Sequence, residues 1–306
     1  MIVAYAFIGK LPSYSIDTVH QTRLFFDGPI YFIVSDLNSE YVPILKNKYN
    51  VTIINYNDVI DNTFIELVCT SVLRTAEVPA LGDRSGLFIR SFERFYVLYN
   101  LMINNNLENV FFMELDNLIY DDPTKWLTSF CQKEICYMYD NNQRCSSGIS
   151  FIKSANSLKN LTDFFTKHIK NFVVERDGQI NEMTALSLFY ENNKEIVQIL
   201  PIHWSSTEYP VEYSESFRLY DSIFDSAALG IYFFGLDPYH TEGKIVKYKK
   251  WWGSLIDYTV YKYEWKIDNK GRNIPYILNG TTWLRINNLH IHSKFLTPAL
   301  SISLSV

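Results

Sequence analysis

Short apolar runs alternate with helical patterns along the first half of the chain. The apolar runs predict strands over residues 2–8, 30–34, 51–56 and 110–115. The segments between them predict helices near residues 15–26, 40–49, 62–74 and 86–104. This rhythm is typical of a parallel sheet built from βαβ units. The run over 110–115 shows no polar alternation, which indicates a strand buried on both faces.

The second half begins with the same kind of pattern and then loses it. Strands are predicted over residues 134–139, 148–153 and 196–202, and helices near 157–172 and 181–192. Beyond Ser205 come irregular segments dense in Tyr, Trp, Gly and Pro, with a last strand pair over 274–277 and 282–286. Because no repeat or low-complexity linker marks a boundary, we predict a single domain over residues 1–306.

Composition and charge narrow the class of protein. With 306 residues and 47% hydrophobic content, the chain can bury a sizeable core. Its formal charge of -5 argues against nucleic-acid binding, which needs basic surface. The apolar start reaches Gly9, Lys10 and Pro12 too soon for a signal peptide or a membrane span, so we expect no integral membrane segment. Four cysteines without C-x-x-C spacing favour a reducing, cytoplasmic location, in the host cytoplasm if the Asn-, Ile- and Tyr-rich composition reflects a viral origin.

An acidic motif, Glu114-Leu115-Asp116-Asn117, follows the strand predicted over residues 110–115. Ligands of open α/β sheets bind beyond the carboxyl ends of strands. A pair of acids there would repel a pyrophosphate unless a cation lies between them, and Mn²⁺ or Mg²⁺ suits carboxylate and phosphate oxygens. The alternative is a surface loop whose acids cap a turn.

The run from Val110 to Asn117 resembles the hydrophobic strand and D-x-D (or E-x-D) motif of GT-A glycosyltransferases. The resemblance implies a Rossmann-like α/β fold, with a mostly parallel sheet flanked by helices and a mixed second half. Residues 1–155 would bind the nucleotide sugar, and residues 156–306 would bind the acceptor and close the site. It also implies that Asp116 binds the metal and that Glu114 contacts the donor. Gly9, after the first strand, is assigned to the same donor site.

The activity that this resemblance implies is metal-dependent sugar transfer. The donor would be a UDP- or GDP-sugar, and the acceptor a glycan or a protein. Two alternatives stay open: a metal-dependent nucleotidyltransferase or phosphohydrolase using the same acids, and a catalytically inactive sugar-binding protein of the same fold. The sequence contains no P-loop, dinucleotide-binding, zincin or serine-hydrolase motif.

Two arginines lie four residues apart in the predicted helix over residues 86–104. Arg90 and Arg94 therefore share a helix face, and both could approach one anion. The helix looks like the one that carries an arginine toward the nucleotide in related glycosyltransferases, and Arg94 is the preferred candidate. The alternative is a surface ion-pair cluster in which Glu93 is the partner.

Histidines and a lysine cluster near the C-terminus. On an extended segment, His290, His292 and Lys294 would share one face. The cluster resembles the H-x-x-G-x-K element of glycogenin-like transferases, whose histidine binds metal and whose lysine contacts phosphate. This resemblance implies His292 as a metal ligand, with His290 as the alternative, and Lys294 as a diphosphate contact. Polar edge-strand residues are the other interpretation.

An inverting transfer would also need a general base. Glu182 and Asp225 are the candidates, although each also fits the cap or first turn of a helix. Stacking platforms for sugar rings are a further possibility, although core packing accounts for most aromatic residues. The candidates are Trp204, Tyr239, Trp251, Trp252 and Trp283, with Trp251 and Trp252 preferred because they follow Lys247, Lys249 and Lys250.

Overall fold

A seven-stranded sheet forms the centre of the protein. The structure, a computed structural model, describes residues 1–71, 73, 86–141, 143–173, 180–205, 207, 209–243 and 254–302. The strands of the central sheet are β1 (Ile2–Phe7), β2 (Ile30–Val34), β3 (Val51–Asn55), β4 (Val110–Met113), β6 (Ile135–Asn141), β7 (Arg144–Ile152) and β8 (Val197–Leu200). Their order is β3-β2-β1-β4-β7-β6-β8. All neighbours run parallel except β7, which is antiparallel to both β4 and β6.

Helices flank this sheet, and the predicted α/β class with a mostly parallel sheet is confirmed. They are α1 (Ser15–Phe25), α2 (Tyr41–Tyr49), α3 (Asn62–Thr70), α4 (Leu87–Asn104), α5 (Leu127–Phe130), α6 (Ala155–Asn171), α7 (Glu182–Asn192), α8 (Phe217–Tyr220) and α9 (Ala228–Phe234). Contacts link α3, α4, α6 and α7 into one group, whereas α1 packs against α2. No helix within the described ranges is long and apolar enough to cross a membrane.

The second half is more regular than its sequence pattern indicates. Four strands, β10 (Tyr263–Ile267), β11 (Asn273–Asn279), β12 (Thr282–Ile286) and β9 (Ser222–Ile223), form a further sheet in that order. We predicted only β11 and β12 of these. Two three-residue strands, β5 (Asn117–Ile119) and β13 (Asn288–His290), pair antiparallel with each other. This small ladder joins the segment after the acidic motif to the C-terminal region.

The buried core takes residues from both halves of the chain. β4 contributes four fully covered side chains, and Phe112 packs edge-on against Phe95 of α4, with ring centroids 5.9 Å apart. The absence of polar alternation in this strand is thus explained by burial on both faces. All four cysteines are free thiols.

Candidate metal centre

The acidic motif lies where the central sheet ends. β4 stops at Met113, and the next residue, Glu114, donates its N–H to the carbonyl of Gly148 on β7, at 2.9 Å. A turn closed by the Asn117 N–H and the Glu114 carbonyl, 3.1 Å apart, then leads into β5. Both carboxylates therefore stand at the carboxyl edge of the parallel strands, as predicted.

The C-terminal region reaches this edge through β13. His290 is the register partner of Asn117, and the N–H of Ile291 donates to the carbonyl of Asp116 at 2.7 Å. These backbone bonds place the His290 imidazole beside the two acids. Nε2 of His290 lies 3.1 Å from Oε2 of Glu114 and 3.3 Å from Oδ2 of Asp116.

Glu114, Asp116 and His290 form a group whose ligand atoms all lie within 4.8 Å of one another. Two carboxylates and an imidazole suit a borderline-hard divalent ion, and Mn²⁺ accepts the imidazole more readily than Mg²⁺, which prefers an all-oxygen shell. Nδ1 of His290 lies 3.0 Å from the carbonyl of Ser226, to which it can donate a proton. That bond would leave Nε2 free for a cation, as is usual for metal-binding histidines. The residues present therefore fit a divalent metal.

The electrostatics of the group favour a charged acid. Burial alone would raise the pKa of Asp116, but the Lys294 ammonium and the His290 imidazole outweigh it and hold this pKa well below 3.8. Burial lowers the pKa of His290, whereas Asp116 raises it more, so that the imidazole titrates above 6.5. A cation at Nε2 would have to compete with protonation of the imidazole, because metal binds the neutral ring.

Arg94 connects this group to α7. Its side chain is 11% exposed, it forms an ion pair with Glu114, and its second nitrogen lies 2.8 Å from Oγ of Ser147 and 3.4 Å from Oε1 of Glu182. Desolvation lowers the pKa of Arg94, but a guanidinium remains charged. The Arg94 guanidinium therefore pairs with two acids, Glu114 and Glu182.

Arg90 takes a different partner from Arg94. Its half-exposed side chain pairs with Glu93, which also accepts a hydrogen bond from Tyr56. This is the ion-pair cluster that we gave as the alternative. The structure therefore does not bring the two arginines to a common anion.

Glu182 and Asp225 have unequal surroundings. Glu182 is the first residue of α7, where Asn181 caps the helix through a 2.9 Å bond from the Thr184 N–H. Its side chain keeps 13% of its surface exposed, next to Arg94. Asp225 is buried and accepts hydrogen bonds from four backbone N–H groups. Of the two acids, Glu182 is therefore the partly exposed one and Asp225 the enclosed one.

The expected extended segment over His290, His292 and Lys294 is wrong. β13 ends at His290, the chain then turns, and Lys294 has a φ of 61°. The turn still directs the lysine to Asp116, with which it forms an ion pair. The ring of His292 lies 4.5 Å from that of His290, between centroids, but His290 is the member of the three-residue group.

Gly9 lies in the loop after β1, at the same edge of the sheet. Its N–H donates to Oγ of Ser35 at 2.8 Å, and its φ of 134° is a backbone conformation that favours glycine. Its neighbour along the edge is thus the loop after β2.

Two further charged residues near the centre were not singled out from the sequence. Asp140, at the end of β6, is buried; it pairs with Arg144 at 2.6 Å and lies 3.4 Å from Oγ of Ser226. Burial raises the pKa of Asp140 despite that arginine. The rule that located Glu114 also applies here, since the predicted strand ends at Tyr139 and Asp140 is the next residue; in the structure β6 continues to Asn141.

The aromatic candidates are scattered. Trp204 stacks on His203 with centroids 4.1 Å apart, Tyr239 is 91% exposed, and Trp283 lies under the Lys266 ammonium at 4.7 Å. The preferred pair, Trp251 and Trp252, lies outside the described residues, as do Lys247, Lys249 and Lys250.

No family model and no curated protein matches the sequence. Among solved structures, mouse xyloside xylosyltransferase 1 is 8% identical, with 65% of this chain and 84% of that chain covered and a TM-score of 0.39. The galactosyltransferase LgtC, in complex with donor and acceptor sugar analogues, is 12% identical, with 71% and 83% covered and a TM-score of 0.44. The PaToxG glycosyltransferase is 12% identical, with 62% and 69% covered and a TM-score of 0.38. Likenesses of this extent assign no activity.

Proposed function

We propose that the protein is a metal-dependent glycosyltransferase that moves a sugar from a nucleoside diphosphate sugar to a glycan or protein acceptor. The observation that carries this proposal is the convergence of Glu114, Asp116 and His290 at the carboxyl edge of the sheet. A metal held there would face the position where α/β folds bind nucleotides. A UDP- or GDP-sugar is the proposed donor.

The metal ligands in this proposal are Asp116 and His290, with His292 as the alternative nitrogen ligand. Glu114 shares one oxygen with Arg94 and turns the other toward His290, which suits a residue between metal and donor. Lys294 is proposed to move from Asp116 to the diphosphate once a cation neutralises the acid. Gly9 and Arg94 are proposed donor contacts, and Arg90 stays a weaker candidate because Glu93 holds it.

The reaction breaks the bond between the anomeric carbon and the diphosphate oxygen and forms one to the acceptor oxygen. The bonding pair leaves with the diphosphate, where a divalent cation held by Asp116 and His290 would stabilise the growing negative charge. Lys294 would add a second positive charge near the leaving diphosphate. The acceptor hydroxyl loses its proton, and Glu182 is the proposed base because its carboxylate is partly exposed.

A calorimetric titration of UDP and GDP, with and without Mn²⁺, tests the metal bridge. We expect one of the two nucleotides to bind, and to bind only when Mn²⁺ is present. This binding should be lost in Asp116→Ala. Glu108→Ala removes an exposed acid ahead of β4 and serves as the matched control, with unchanged binding expected. Equal affinity without metal, or in Asp116→Ala, would refute the proposal.

Product analysis separates sugar transfer from phosphate chemistry. Incubation with UDP-glucose, UDP-galactose or GDP-mannose and Mn²⁺ should release the nucleoside diphosphate, with transfer of the sugar to water or to an added glycan. Release of a nucleoside monophosphate and a sugar phosphate would instead identify a phosphohydrolase.

A further inference from the structure

A buried carboxylate supports the main chain of His290. Asp225, 1% exposed, lies between β9 and α9. Its Oδ2 accepts the N–H groups of His290 at 2.9 Å and Gly230 at 2.8 Å. Its Oδ1 accepts those of Ala227 at 3.0 Å and Leu229 at 2.9 Å. Both carboxylate oxygens are therefore occupied by backbone N–H donors.

The residue after Asp225 fixes the imidazole ring. The carbonyl of Ser226 lies 3.0 Å from Nδ1 of His290. Adjacent residues thus hold the main chain and the ring of the same histidine, which defines both its position and the nitrogen turned to Glu114 and Asp116.

Asn288 ties Asp225 to the small ladder formed by β5 and β13. Its Oδ1 accepts the Asp225 N–H at 2.9 Å, and its Nδ2 donates to the Asp225 carbonyl and to Oδ1 of Asn117, each at 2.9 Å. The position of Asp225 is therefore coupled to the strand that follows the acidic motif.

Two glycines allow His290 to sit this close to its neighbours. A Cβ added at Gly230 would lie 2.0 Å from the carbonyl oxygen of His290. One added at Gly148 would lie 3.0 Å from Nδ1 of His290 and 2.7 Å from Nδ2 of Asn117. A side chain at either position would displace the histidine.

We propose that Asp225, together with Gly148 and Gly230, is a positioning residue that holds His290 in register with Glu114 and Asp116. This inference rests on the proposed function, since it assigns the support of the same metal site. It differs from the role of general base considered for Asp225 from the sequence, because the four N–H donors occupy the carboxylate.

The test is Mn²⁺ binding without nucleotide, followed by electron paramagnetic resonance, in Asp225→Asn. The amide keeps the shape but turns an NH₂ toward two backbone N–H groups, so that the support of His290 is lost. We expect Mn²⁺ affinity to fall about 10- to 100-fold, as for other residues that orient metal ligands. Asp221→Asn is the matched control, because this exposed residue has a φ of 49° that asparagine tolerates.

Gly148→Ala is the second variant and is tested in the same way, since its Cβ would press on the His290 ring at Nδ1, 3.0 Å away. If Asp225→Asn does not fold, Gly148→Ala is the decisive variant. The same fall in Mn²⁺ affinity is expected for it. Imidazole ¹⁵N spectra of the metal-free protein give a readout independent of the cation: the His290 signals should shift in both variants and stay unchanged in Asp221→Asn.

The outcomes separate this inference from the proposed function. Wild-type affinity and unchanged His290 signals in folded Asp225→Asn would overturn the positioning role alone. Loss of turnover with unchanged Mn²⁺ affinity would identify Asp225 as a base instead. If the wild-type protein itself does not bind Mn²⁺, the proposed metal site is refuted, whatever the variants show.

Discussion

Replacing Lys294 by methionine should change metal and nucleotide affinities in opposite directions. The Lys294 ammonium pairs with Asp116, a carboxylate that is 8% exposed and is also a proposed metal ligand. In the proposed site the ammonium and a divalent cation would therefore compete for one acid. Methionine keeps the length and apolar stem of lysine and removes only the charge.

The exposure of the Lys294–Asp116 ion pair sets the expected size of the change in Mn²⁺ affinity. The Lys294 side chain is 36% exposed, so solvent screens the pair, and its removal should relieve only about 0.5–1 kcal/mol of competition. Mn²⁺ should accordingly bind about two- to fivefold more tightly in the absence of nucleotide. A charge-assisted hydrogen bond to the diphosphate contributes about 1.5–3 kcal/mol, so UDP or GDP should bind about 10- to 150-fold more weakly with Mn²⁺ present.

Both affinities can be measured by calorimetry on one preparation. Lys46→Met, which removes an exposed lysine of α2, should leave them unchanged. A parallel loss of Mn²⁺ and nucleotide affinity in Lys294→Met would show that the lysine holds Asp116 in place and does not compete for it. No change in either would show that the lysine does not serve the site.

Two further predictions concern stability. Phe112→Ala removes a ring that is 1% exposed between β4 and α4, and should lower the free energy of unfolding in urea by about 3–5 kcal/mol, whereas Ile103→Ala, at a 54% exposed position, should cost under about 1 kcal/mol. Because the folded pKa of Asp116 lies well below 3.8, its stabilising contribution in the metal-free protein is complete above that pH and is lost as the pH falls through the folded value. The difference in unfolding free energy between wild type and Asp116→Asn should therefore be large at neutral pH and shrink in strong acid; a difference independent of pH would contradict the ion pair.

The elements of the first half were predictable because each follows from local pattern. The strand over residues 30–34 has the predicted bounds, and α1 and α4 differ from prediction by one residue at one end. β7 shows the limit of this approach. It begins at Arg144, four residues before the predicted start, because the polar Ser146 and Ser147 hide a strand whose side chains serve the site.

The positions of the site residues were predictable where they follow from one continuous stretch of sequence. Glu114 and Asp116 follow a strand that the apolar run reveals, so their position at the sheet edge could be derived. The choice between His290 and His292 could not be made, because it depends on the pairing of β5 with β13. Strands of three residues carry no recognisable period, and the Ile291 N–H bond to the Asp116 carbonyl joins segments that are far apart in the sequence.

The β5–β13 ladder also determines when, during synthesis of the chain, the proposed metal site can form. Lys294 and Asp116 are 178 positions apart in the chain. At synthesis rates of about 5–20 residues per second, the two acids leave the ribosome about 10 to 35 s before the histidine and lysine that complete their surroundings. During that interval the nascent chain has both carboxylates but not yet His290, so it cannot form the three-residue site. In the proposed site the cation would therefore gain its imidazole ligand only once β13 has docked, so that a fully coordinated ion would mark a protein whose C-terminal region has already folded.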